Sequence, residues 1–108
     1  MSQTLKKVSH FLLLLTSDST SRNQAIALLE TASPPQVLAL SEIVYNIICG
    51  ELPLDAKTKS FVKRHKKVLE RLAKKLLSEK TKYRLVRQHP KIVLETLHLI
   101  KPILLKLL

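Results

Sequence analysis

Apolar side chains recur at helical spacing along most of the chain, and short polar or proline-containing stretches divide them into segments. Leu5, Val8, Leu12 and Leu15 share one stripe, which predicts a first helix over 4–16. The stretch TSDSTS at 16–21 reads as a polar loop. Ser21 and Gln24 stand at N-cap and N3 spacing, a capping box that starts a helix over 22–32 with Ala25, Leu28 and Leu29 inward. Ser33-Pro34-Pro35-Gln36 repeats the signal, with proline at the first helical position, and the helix it opens carries Val37, Leu40, Val44, Ile47 and Ile48 and runs to Cys49. Gly50 is placed to end that helix in a left-handed conformation. Pro53 disfavours helix at Leu52, so ELPL at 51–54 is an extended connector.

The second half continues in the same style. Asp55 is positioned to cap a helix over 56–77, whose stripe is Phe61, Val62, Val68, Leu69, Leu72, Ala73, Leu76 and Leu77. Ser78 can cap a short helix over 79–88, and Pro90 marks a break. The segment 91–108 is helical in pattern but contains Pro102, which predicts a kink or two short helices. The expectation is an all-α fold, a compact bundle of five or six short helices forming one domain over 1–108. One Gly, no Trp and abundant Leu, Lys and Ala agree with helix rather than sheet. The length fits a single domain, and 37 Leu, Ile and Val residues can fill a core.

Charge changes the picture. The net charge is +11, but residues 1–54 hold three Lys/Arg and four Asp/Glu, whereas 55–108 hold sixteen and four. A general solubility device would be spread more evenly. Cys49 is alone, so no intrachain disulfide can form and an intracellular, reducing compartment fits best. The run FLLLL at 11–15 is short and no small-residue cleavage site follows it, so no signal peptide is expected. No apolar run reaches the ~18 residues of a membrane span.

The chemistry needed for an enzyme is sparse. His10, His65, His89 and His98 are scattered without Cys or carboxylate neighbours at metal-ligand spacing. A single Gly cannot build a phosphate loop or a dinucleotide fingerprint. Cys49 reads as a small apolar side chain near a helix end, and His65 as a boundary side chain between Phe61 and Leu69. The expectation is a non-enzymatic protein with no cofactor, no metal and no small-molecule substrate.

From Lys57 to Lys91 there are fourteen Lys/Arg and two acids, Glu70 and Glu79. Exposed helix faces ordinarily mix both signs to gain pairs one turn apart, and concentrated like charge destabilises a fold. A polyanion partner is therefore expected, held by Lys59, Lys63, Arg64, Lys66, Lys67, Arg71, Lys74, Lys75, Lys80, Lys82, Arg84 and Arg87. A helix of about 22 residues would be about 33 Å long, close to one turn of B-DNA. Tyr83 lies among these cations and can stack or hydrogen-bond. Lys outnumbers Arg fourteen to five, which favours contact with backbone phosphates over base reading. Nucleic acid, DNA first, is thus the leading partner. A helical interaction or oligomerisation module is the second reading. The third is a membrane-active amphipathic segment at 91–108, where the apolar face is broad enough to suggest a partner or a homo-oligomer.

Residues 39–86 carry a further pattern. Gly50 ends a helix, Leu52-Pro53-Leu54 forms a connector, and Arg64-His65-Lys66-Lys67 with Leu69 and Leu72-Ala73 occupies the basic helix. Lys80 to Val86 and an apolar end follow. The pattern resembles a family of small basic proteins encoded by Polinton (Maverick) elements and related adintovirus-like DNA viruses of animals. The resemblance implies a role beside a packaged genome, similar in kind to small basic adenoviral core proteins, with a nuclear or virion location. It brings no catalytic motif. Many relatives have a Gly-rich apolar tail, whereas this tail is Leu-rich and Gly-free.

Overall fold

Capping side chains set four of the helix starts. In a computed structural model describing residues 3–108, the side chains of Ser21, Ser33, Asp55 and Ser78 accept from the backbone N–H three residues on. Gln24 and Gln36 return the bond to the cap N–H at 2.9 and 2.8 Å, completing both capping boxes. The described residues form only α-helix, in the order α1 (Gln3–Lys7), α2 (Ser9–Thr16), α3 (Arg22–Glu30), α4 (Pro34–Ile48), α5 (Ala56–Arg64), α6 (Lys66–Ala73), α7 (Glu79–Gln88), α8 (Pro90–Leu99) and α9 (Lys101–Leu107). Gly50 follows α4 at φ +74°, a conformation strained for any residue with a Cβ.

The predicted helices over 4–16, 56–77 and 91–108 are each broken at one residue, so the five or six expected helices become nine among the described residues. Val8, His65 and Ile100 sit at φ between −99° and −109° and ψ between 8° and 26°, off the helical basin. The physical reason is size. A straight helix over 56–77 would run about 33 Å, longer than the molecule's largest extent of 31 Å. Breaking at His65 lets α5 pack on α8 while α6 packs on α4. The break at Ile100 belongs to Pro102, which has no N–H to offer the carbonyl of His98 and takes a first-turn position in α9.

The core is common to both halves of the chain. Leu5, Leu12, Leu29, Leu40 and Ile43 from the near-neutral half are closed to solvent together with Leu69, Leu72, Leu97, Ile100 and Leu104 from the basic half. Packing of α8 against α2, α3, α5 and α7, with α9 returning on α8, buries part of the apolar breadth of 91–108 inside the monomer. Val93, Leu94, Leu97, Ile100 and Leu104 are buried, and Leu105 is the exposed leucine of that segment. No helix among the described residues is long and apolar enough to cross a membrane.

The predicted basic helix also ends early. Lys74 turns to extended backbone at ψ 118°, so α6 stops at Ala73 and residues 74–78 form the link to α7. Leu76, predicted for the inner stripe, is fully exposed. Leu72→Ala is expected to cost about 2–5 kcal/mol in urea unfolding, and Leu76→Ala less than about 0.5 kcal/mol. Equal losses at the two positions would mean that the helix continues to residue 77.

Candidate nucleic-acid interface

Helix geometry distributes the basic side chains over several surfaces rather than along one. On α5, Lys59 and Lys63 are one turn apart and line a groove with Lys66, beside Leu52, Leu54 and Val62. Lys57 and Arg64 line a separate cleft against α8, with Lys91 and Arg22. On α7, Lys80, Arg84 and Arg87 share the outward stripe, and Tyr83 lies among them. The Arg87 guanidinium sits 5.2 Å from the Tyr83 ring centroid, and its Nε donates to the Glu30 carbonyl at 3.2 Å, tying α7 to the end of α3. Lys67, Arg71 and Lys74 are exposed, and the Lys75 ammonium lies 4.4 Å from the Tyr45 ring centroid.

Eleven of the twelve predicted contact residues are therefore exposed, and Lys82 is the correction. It is 5% exposed, and its Nζ donates to Ser41 Oγ at 2.7 Å. Ser41 Oγ in turn donates to the Leu72 carbonyl at 2.7 Å. That carbonyl belongs to the last turn of α6, where main-chain acceptors lack helical donors. A cation near the negative end of α6 is favourably placed. Lys82 thus ends a bond chain that joins α7 to α4 and α6, and it has no access to a phosphate. A local signal for this exists, because Lys82 precedes Leu85 and Val86 by three and four positions and so lies on the buried face of α7.

Arg22 was not among the predicted contacts, and no local pattern marks it. It begins α3, far in sequence from Lys57 and Lys91, and only the packing of α3 and α5 on α8 brings the three together. Asp55 caps α5 two residues before Lys57. Hydrogen bonds from Thr58, with Nα donating at 2.7 Å, hold its carboxyl below the usual carboxylate range, so it remains a charged cap. No group of three or more His, Cys, Asp or Glu that could hold a metal ion occurs among the described residues. No family model, curated protein or solved structure matches the chain.

Burial lowers the Lys82 pKa below 10.5, with a smaller opposing effect from the Glu79 charge. The folded chain therefore releases this proton at a lower pH than the unfolded chain. Between the lowered value and 10.5 the unfolded state binds more protons, and stability gains a contribution that rises with pH through that window. Lys82→Met is expected to remove that rise while leaving stability at neutral pH equal or greater, because Ser41 keeps its bond to Leu72. Ser41→Ala is expected to cost about 1–3 kcal/mol, since it strands both the ammonium and the carbonyl. Urea unfolding of the three proteins across neutral to alkaline pH checks both outcomes.

Proposed function

We propose that this protein binds the phosphate backbone of nucleic acid, DNA in the first instance, with little dependence on base sequence. One observation carries the reading. Lys82 apart, every Lys and Arg from Lys57 to Lys91 is exposed, and Lys66–Glu70 at 3.5 Å is the one ion pair of that span among the described residues. The surface is left with concentrated positive charge that its own carboxylates do not neutralise, and such charge is worth most beside a polyanion. The predominance of Lys suits point contacts to phosphate rather than bidentate reading of guanine. The resemblance to small basic proteins of Polinton and adintovirus-like elements supports placing this activity on a packaged, virus-derived genome. The protein is taken to act by binding, without catalysis.

A second reading has its own observation. The groove between the end of α4 and α5 is lined by Ile47, Ile48, Leu52, Leu54 and Val62, with Lys59, Lys63 and Lys66 beside them. Those features suit an acidic amphipathic segment of a protein partner.

Titration of unrelated DNA and RNA duplexes at about 50 and 200 mM salt separates the readings. With about five phosphates contacted, the logarithmic salt slope is near −4.5 and affinity falls roughly 500-fold across that range. Similar affinity for unrelated sequences is expected. Absence of salt-sensitive binding at the lower salt would overturn the proposal, and tighter binding of an acidic amphipathic peptide than of duplex would favour the groove.

A further inference from the structure

The cleft between α5 and α8 differs in composition from the other basic surfaces. It is a solvent-open cleft of about 490 Å³, within the range of small-ligand sites. Arg22, Lys57, Arg64 and Lys91 all line it, against a single acid, Glu95. None of the four cations makes an ion pair among the described residues. The charge is therefore available to an entering anion.

The same cleft offers flat and apolar surface. Phe61 and His65 lie one turn apart with ring centroids 4.5 Å apart and planes tilted by 49°. Both are only partly buried, and Ile92 and Leu99 of α8 line the cleft beside them. Neither Lys80 nor Arg84 on α7 has an apolar surface of this kind nearby; Tyr83 there is already covered by Arg87. The break at His65 is what sets this aromatic pair at the end of α5, facing α8.

Cations that match phosphate, combined with aromatic and apolar surface inside one cleft, fit a nucleotide whose base is free to stack. Duplex DNA does not present such a base, because its bases are already paired and stacked. We infer that the α5–α8 cleft binds a single unpaired nucleotide unit, its phosphate held by Arg64, Lys57, Lys91 and Arg22 and its base against Phe61. The inference rests on the nucleic-acid reading above and narrows it: the outer cations hold backbone of any kind, and this cleft confers a preference for single-stranded segments. A strand and a free nucleotide present the same chemistry here.

The test uses the full chain, uniformly labelled with nitrogen-15, titrated at low salt with a short oligothymidylate, thymidine monophosphate, inorganic phosphate and a duplex. The oligothymidylate is expected to shift amides of 57–65 and 91–99 and to bind more tightly than phosphate. Shifts of the same amides by thymidine monophosphate would assign the cleft to free nucleotide as well, whereas binding of the oligomer alone would assign it to strands; either supports the inference. Phe61→Leu, which keeps an apolar side chain and removes the aromatic face, is expected to weaken the oligothymidylate about 5- to 150-fold, the range of one base–aromatic stack. Arg64→Gln, at an exposed position, provides a variant with little burden on folding and is expected to weaken both nucleotide ligands. Inorganic phosphate shifting the cleft as strongly as thymidine monophosphate, or oligothymidylate affinity unchanged in both variants, would overturn the inference. Salt-sensitive duplex binding in that case would leave the broader proposal standing, and no binding of any nucleic acid would remove both.

Discussion

A buried hydrogen-bond chain centred on Ser41 fixes the middle of this molecule. Lys82 reaches from α7 to Ser41 on α4, and Ser41 passes the bond to the Leu72 carbonyl at the end of α6. α4 packs most extensively on α6 and next on α7, so the bond chain lies where the largest part of the core is assembled. Its geometry has two consequences. It satisfies a carbonyl that α6, ended by the extended backbone of Lys74, cannot satisfy itself. It also fixes which face of α7 is inward, because Lys82, Leu85 and Val86 are one stripe.

The basic surface follows from that arrangement. With Lys82, Leu85 and Val86 inward, Lys80, Arg84 and Arg87 must point outward. With α6 ended at Ala73, Lys74 and Lys75 sit in the link to α7, and Lys75 lies against Tyr45. The break at His65 gives α5 an independent direction, dividing its cations between the α4 groove and the α8 cleft. The charge thus surrounds the basic half on several sides. Such a distribution suits a polyanion that is wrapped or contacted at several points better than it suits one straight helix laid in a groove. The near-neutral half contributes chiefly core, through Leu5, Leu12, Leu29 and Leu40, and one cation, Arg22, to the cleft.

Much of the fold was legible because it is encoded locally. Ser21 with Gln24, Ser33 with Gln36, Asp55, Ser78 and Gly50 each act through bonds or dihedrals spanning at most a few residues, and each behaves as its spacing indicates. The helix breaks at Val8 and His65 were not legible, since neither residue is a helix breaker and the interruption comes from the need of each half to pack on a different neighbour. Pro102 announced a break but not its place, two residues earlier at Ile100. For the surface, residue type identified eleven exposed cations correctly and failed at Lys82, where helical phase with Leu85 and Val86 outweighs the preference of lysine for water. The cleft joins residues from α3, α5 and α8, and such a meeting is a property of packing that no short stretch of sequence contains.

The central claim is that the unpaired charge of the basic half has a polyanion as its partner. A ligand that binds the folded chain alone raises its stability by mass action, about 2.7 kcal/mol at a hundredfold excess over the dissociation constant. Thermal unfolding with increasing amounts of a mixed-sequence DNA duplex at low salt measures this directly. The account predicts a midpoint that rises with duplex concentration and a rise that disappears as salt is added. A midpoint indifferent to duplex at low salt would contradict it.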